Sequence, residues 1–196
     1  MDISFLIPSE TVRTDSKKTI KSIVGGQERI DVFSRCLLNL YRWKERLNAN
    51  ISLIFYLSHP EELMKISIPL SNINRKIENE LDSTREMLKI LSKNQNYKVE
   101  FEKTNFRKLL NSLARNHGLY YLTPDGLPIK TYEEAIKSES SACFVLGSQY
   151  DLTTEQEKIL FDLDAKPLSI GNQNYLASHV ITLVCYNLST SEAFHS

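Results

Sequence analysis

Short apolar runs rich in β-formers alternate along the chain with longer stretches whose apolar residues recur every three or four positions. Residues 3–7, 51–57, 119–122 and 143–147 are of the first kind and read as buried strands. Between and after them, 28–46, 77–93, 105–116, 153–163 and 174–188 carry helical spacing. Strand and helix in alternation predict an α/β domain with a largely parallel sheet flanked by helices. Residues 64–70 add an expected edge strand. The 153–163 helix has Thr153 or Thr154 as its cap, acids in its first turn, and Pro167 beyond its end. In open α/β sheets, ligands collect outside the carboxyl ends of the strands. That rule gathers 122–126, 147–149 and 169–172 as candidates for one pocket. Residues 8–25, polar and cationic, form the longest expected loop.

Composition narrows the class without changing the picture. With 196 residues, 41% of them hydrophobic, and 24 Lys+Arg against 24 Asp+Glu, the chain is long enough for one domain with a real core. Disorder, a collagen-like repeat and a membrane span of 18 or more apolar residues are all excluded. The start, Met-Asp-Ile, carries no cationic leader, so a cytoplasmic protein without a membrane partner is expected. Cys36, Cys143 and Cys185 are dispersed in apolar surroundings, and buried thiols are the expectation. The four histidines show no metal-ligand spacing, and no metal is expected.

Charge is balanced overall but not locally. Residues 11–46 hold nine cations and four anions, a net of +5, whereas 151–164 hold one cation and five anions, a net of −4. Such an asymmetry either steers a polyanion to one end of the molecule or reflects ordinary solvated faces.

Gly25-Gly26-Gln27 reads as a permissive turn before a helix. No phosphate-binding loop, nucleophile elbow or zinc-protease motif occurs. On the helix from residue 28, Ile30, Phe33, Leu37, Leu40 and Tyr41 share one face, and Asp31, Arg35 and Arg42 lie off it. Asp31 and Arg35 stand four apart: either a helix-surface ion pair, or a carboxylate beside a guanidinium that binds phosphate while Asp31 takes a proton from a base. The segment 174–188 is apolar on most sides, as suits either the core or a subunit interface.

Three blocks together resemble the TrmY family of archaeal tRNA pseudouridine methyltransferases, of the SPOUT class. They are residues 28–36, Glu-Arg-Ile-Asp-Val-Phe-Ser-Arg-Cys; residues 119–122, Leu-Tyr-Tyr-Leu, with Asp125-Gly126; and the stretch from Phe144-Val-Leu-Gly147 to Lys166-Pro-Leu-Ser169 and the apolar last helix. The similarity spans nearly the whole chain, taken as a single domain over 1–196. It implies a C-terminal trefoil knot at about 119–188, S-adenosylmethionine held there, and a homodimer acting on tRNA. The implied reaction methylates ring nitrogen 1 of pseudouridine 54 in the T-loop.

By the same resemblance Leu122, Gly147, Leu168, Ser169 and Val180 belong to the cofactor site. Asp31 is the catalytic candidate, with Arg29, Arg35, Lys103, Arg107 and Lys108 as RNA-binding candidates. Two positions depart from the family: Val180 stands where a Cys is expected, and residues 103–107 replace a paired Arg before Gly-Phe. The same chemistry on ribosomal RNA, or a non-catalytic dimeric RNA-binding protein that keeps the fold, are the alternatives.

Overall fold

The computed structural model describes residues 1–14, 28–59, 62–93, 98–173 and 175–190. Gly25-Gly26-Gln27, and all of the expected 8–25 loop beyond Thr14, lie outside the described residues.

Among the described residues seven strands form one sheet: β1 (Asp2–Ser9), β2 (Asn50–His59), β3 (Glu62–Pro69), β4 (Glu100–Lys103), β5 (Gly118–Pro128), β6 (Ser141–Val145) and β7 (Lys166–Ser169), in the order β4-β3-β2-β1-β6-β5-β7. The five strands from β2 to β7 in that order are mutually parallel, while β3 and β4 pair antiparallel at one side. The helices are α1 (Ile30–Trp43), α2 (Glu80–Leu91), α3 (Phe106–Ala114), α4 (Glu133–Ser138), α5 (Thr154–Asp162) and α6 (Ala177–Ser189). The fold class expected from the pattern holds: a largely parallel sheet with helices on both faces.

Strand alternation divides the apolar residues into two cores. Phe5, Phe55, Tyr120 and Phe144 point to one face, where Phe33 and Leu37 of α1 and Ile181 and Val184 of α6 meet them. Leu6, Ile54, Tyr56, Cys143 and Val145 point to the other and meet Phe106 and Leu110 of α3 and Leu160 of α5. The Phe33 and Phe55 rings stack with centroids 3.6 Å apart, tying α1 to the middle of the sheet. All three cysteines are buried, and burial pushes the Cys143 thiol up to about 12. The apolar last helix divides its faces. Val180, Ile181, Val184, Cys185 and Leu188 are in the core, while Tyr186 is 55% exposed.

Four local expectations are corrected. Residues 64–69 belong to β3, which is not at the edge, because β4, which the pattern did not reveal, pairs outside it. Pro8 and Ser9 belong to β1 and not to the following loop. The strand at 119–122 continues to Pro128: both Leu122 and Leu127 align with Leu168 of β7, and the residues between them bulge out of register. Pro124 and Gly126 are tolerated there because the bulge leaves them out of the ladder. Residues 166–169, which the pattern did not mark as a strand, are the edge strand β7.

Candidate active site

The carboxyl ends of β5, β6 and β7 open into a cavity of about 440 Å³, within the range of small-molecule sites. Its wall is built from the β5 bulge (Leu122, Thr123, Pro124), the loop after β6 (Leu146–Asp151), the loop after β7 (Ile170, Gly171, Gln173, Tyr175) and the first turns of α6. Parallel strands bring these three loops together because each strand ends at the same rim. The three segments grouped from the pattern therefore do share one pocket.

Two glycines make the wall possible. A Cβ on Gly147 would stand 2.4 Å from the carbonyl oxygen of Tyr150, so the loop after β6 closes only without a side chain there. A Cβ on Gly126 would stand 2.6 Å from the backbone of Leu168, so the bulge lies flat on β7 only with glycine. Ser169 is not part of the wall. Its Oγ donates to the Gly171 carbonyl at 2.9 Å and accepts from the Gly171 N–H at 3.2 Å, bracing the loop that is. Leu122, Gly147, Leu168 and Val180 all line the cavity. Val180 is only 9% exposed and takes its place on the wall as an apolar side chain. Cys185, one and a half turns on, is fully buried in the core.

On the opposite side stand Arg29, Val32 and Arg35 of the α1 region. Arg29 caps α1 with a left-handed backbone, φ 52° and ψ 39°, a conformation that costs an L-residue about 1–2 kcal/mol. Its guanidinium donates to both carboxylate oxygens of Asp31, from Nε at 2.9 Å and from a terminal nitrogen at 3.1 Å. Arg35 donates to the same carboxylate from the next turn of α1. Asp31 is 17% exposed. Burial alone would raise its pKa, but the two guanidiniums outweigh it and hold the carboxyl below the ordinary aspartate value. The sequence alternatives for Asp31 and Arg35 thus meet in one object: an ion-paired trio whose two cations line a cavity. Asn39 donates to the Ser178 carbonyl at 2.8 Å and fastens α1 to the start of α6 across the site.

Lys103, Arg107 and Lys108 are not brought to the cavity. Lys103 ends β4, separated from β6 by three strands, about 19 Å at the usual strand spacing. Arg107 pairs with Asp162 at 2.9 Å, and Lys108 is exposed in the first turn of α3. Pattern reading missed Val32, Tyr150, Tyr175 and the α6 turn bearing Leu176, Ala177 and Ser178. Tyr150, 71% exposed beside a cavity, carried a usable signal: an aromatic directly after a Gly-Ser-Gln loop. Among the described residues no three His, Cys, Asp or Glu side chains gather as a metal site.

A strand-end cavity walled by three loops of a mostly parallel sheet, with arginines on its far side, is a ligand site of an open α/β fold. Archaeoglobus fulgidus Nep1 bound to S-adenosylhomocysteine has this fold, with a TM-score of 0.67 at 15% identity over 98% of this chain and all of that one. The ribosomal RNA small subunit methyltransferase E of Neisseria gonorrhoeae, bound to S-adenosylmethionine, follows at 0.54 and 10% identity, covering 97% of this chain and 66% of that one. The family described as "Putative SAM-dependent RNA methyltransferase" matches residues 3–193, and the chain belongs to it. Its relatives include the tRNA (pseudouridine(54)-N(1))-methyltransferases of Thermococcus onnurineus, 26% identical, and Methanococcus vannielii, 23% identical. Each alignment covers 92% of this chain and 94% of the relative.

S-adenosylmethionine is the cofactor of this family, and the cavity fits it. The volume is adequate, and Leu122, Leu146, Leu168 and Val180 offer apolar surface beside the polar side chains of Ser148, Gln149 and Gln173. The glycine at 147 leaves loop backbone open to close approach.

Proposed function

We propose that this protein methylates ring nitrogen 1 of pseudouridine 54 in the T-loop of tRNA. The observation that carries the reading is the Arg29–Asp31–Arg35 trio held across the cavity from the cofactor loops. The names of the full-length relatives supply the base and the position.

Leu122, the backbone around Gly147, and Leu168 with Val180 hold the cofactor, and Ser169 braces the loop that closes over it. When bound, S-adenosylmethionine supplies a methyl group already activated by its sulfonium. The residues of this chain then have two tasks, alignment of the base and disposal of one proton. Asp31 is ionised throughout the neutral range because its carboxyl is held low. It accepts the hydrogen bond from the ring N–H, a group that pseudouridine has and uridine lacks at that position. The proton becomes acidic as the nitrogen acquires its fourth bond, so a weakly basic carboxylate suffices to take it. Arg29 and Arg35 orient that carboxylate and offset negative charge on the base carbonyls or an adjoining phosphate. The target base reaches the cavity unstacked from its loop.

The same reading includes a single domain over 1–196 with a C-terminal trefoil knot at about 119–188, an arrangement outside the usual rules of chain threading. It is supported by the β7 edge strand against the β5 bulge and by the return of α6 onto α1. It also includes a cytoplasmic location and a homodimer; the dimer is supported by Tyr186, 55% exposed on the outer side of α6, and by Leu176, 54% exposed where α6 begins at the cavity. No helix among the described residues is long and apolar enough to cross a membrane. Lys103, Arg107 and Lys108 fit this reading as distant phosphate contacts on an extended RNA.

Incubation with labelled S-adenosylmethionine and matched T-arm RNAs, one carrying pseudouridine at position 54 and one uridine, tests the proposal. Label on the pseudouridine RNA alone is expected. Equal label on both, or none on either with folded protein, overturns it.

A further inference from the structure

The cofactor loop and the arginine-bearing segment come from distant parts of the chain, and one hydroxyl joins them. Thr11, just past β1, donates its Oγ1 proton to the backbone carbonyl of Glu28 at 3.0 Å. The same oxygen accepts from Nε2 of Gln149 at 3.0 Å. Glu28 immediately precedes Arg29, the strained residue whose guanidinium grips Asp31. Gln149 lies two residues beyond Gly147 and lines the cavity.

The bonding pattern leaves little choice of orientation. A carbonyl can only accept, so the single Thr11 proton must go to Glu28, and its lone pairs must face the amide N–H of Gln149. Ser9, buried at the end of β1, holds Thr11 from behind: its Oγ accepts from the N–H groups of Thr11 and Val12, both at 3.4 Å. Val12 is fully buried and anchors the turn.

We propose that Thr11 is a positioning residue that couples occupancy of the cofactor cavity to the placement of Arg29 and Asp31, so that cofactor and RNA bind with positive cooperativity. This rests on the reading above, in which RNA engages the arginine pair. A ligand filling the cavity confines Gln149 to the orientation that reaches Thr11, and that bond fixes the Glu28 carbonyl and the backbone entering Arg29. Both ligands need the same arrangement, so whichever binds first orders it for the other. By linkage the gain is equal in the two directions.

The test is calorimetric titration of the whole protein with S-adenosylhomocysteine, the unreactive product, with and without saturating pseudouridine T-arm RNA, and the reciprocal titration. Wild type is expected to bind each ligand about fivefold or more tighter in the presence of the other. Thr11→Val, which keeps the shape and removes both bonds, brings that ratio to about one. Gln149→Glu, which puts an acceptor where the donor stood, does the same without touching the β1 turn. Thr11→Ser restores the ratio, which a loss of packing alone would not explain. A wild-type ratio of one, or an undiminished ratio in Gln149→Glu or in folded Thr11→Val, overturns the coupling while leaving the methylation reading intact. Wild type that fails to bind the RNA at all overturns both.

Discussion

At the scale of single residues, the sharpest feature is a carboxylate shared by two arginines that line the cavity. Asp31→Asn keeps the size and removes the charge, and a loss of about 10²-fold or more in methyl transfer is expected from the general contribution of a positioned proton acceptor. Cofactor affinity should change little, because Asp31 is not on the cavity wall; equilibrium binding of S-adenosylhomocysteine checks that half of the prediction. The pH dependence has a definite sign. A carboxyl held lower in the folded state than in the unfolded state contributes stability above its unfolded pKa, and that contribution is lost as pH falls through the folded value. The wild type is therefore expected to be more stable than Asp31→Asn at neutral pH, with the difference shrinking only below the ordinary aspartate range. Urea midpoints at pH 7 and at pH 3 measure it. Arg29→Gly offers a complementary check: relief of the left-handed strain partly offsets the lost ion pair in stability, whereas activity falls.

Single elements explain why the site has its shape. The loop between β6 and α5 is fixed at one end by Gly147 and at the other by the Thr153 capping box, in which Thr153 and Gln156 satisfy each other's backbone N–H groups. Gly147→Ala forces the loop away from the Tyr150 carbonyl and is expected to weaken cofactor binding at least tenfold with modest cost to the melting temperature. Binding and thermal melts on the same variant separate those effects. Gly126→Ala acts on a different element. Its Cβ would wedge the β5 bulge from the Leu168 backbone, and a destabilisation of about 1–3 kcal/mol is expected from overpacking, read from denaturant midpoints.

At the scale of the whole molecule, α6 is the element with two sides. Its inner side completes the core with α1 and the sheet, and its outer side presents Tyr186 to solvent, while Leu176, about 15 Å away along the helix axis, is equally exposed where α6 begins at the cavity. In a homodimer these side chains are buried. Leu176→Glu combined with Tyr186→Glu is then expected to give monomers in light scattering at concentrations where wild type is dimeric, with the secondary structure unchanged by circular dichroism. A wild type that is itself monomeric removes the dimer from the reading.

Local pattern was sufficient wherever one residue's neighbours along the chain decide its state. The helical spacing of Ile30, Phe33, Leu37 and Leu40 determined α1, and the apolar β-rich runs determined β1, β2 and β6. Thr153, the acids after it and Pro167 bounded α5 with no tertiary help. The Asp31–Arg35 pair was also legible, since residues four apart on a helix can reach one another, whereas Arg29 reaches Asp31 from a left-handed backbone ahead of the helix that no spacing indicates. What the sequence could not decide were the features whose cause lies far along the chain. β4 is polar and four residues long, and only its partner β3 makes it a strand. Residues 123–126 look like a turn by composition, yet β7 draws the chain on both sides of them into one ladder. Lys103, Arg107 and Lys108 look as basic as Arg29 and Arg35, yet strand order keeps Lys103 from the cavity, and Arg107 and Lys108 ride on α3, which packs on the sheet face away from α1 and α6. Thr11 and Gln149 are 138 positions apart and carry no mutual signature; the adjacency of β1 and β6 in the sheet is what brings their side chains within hydrogen-bonding distance.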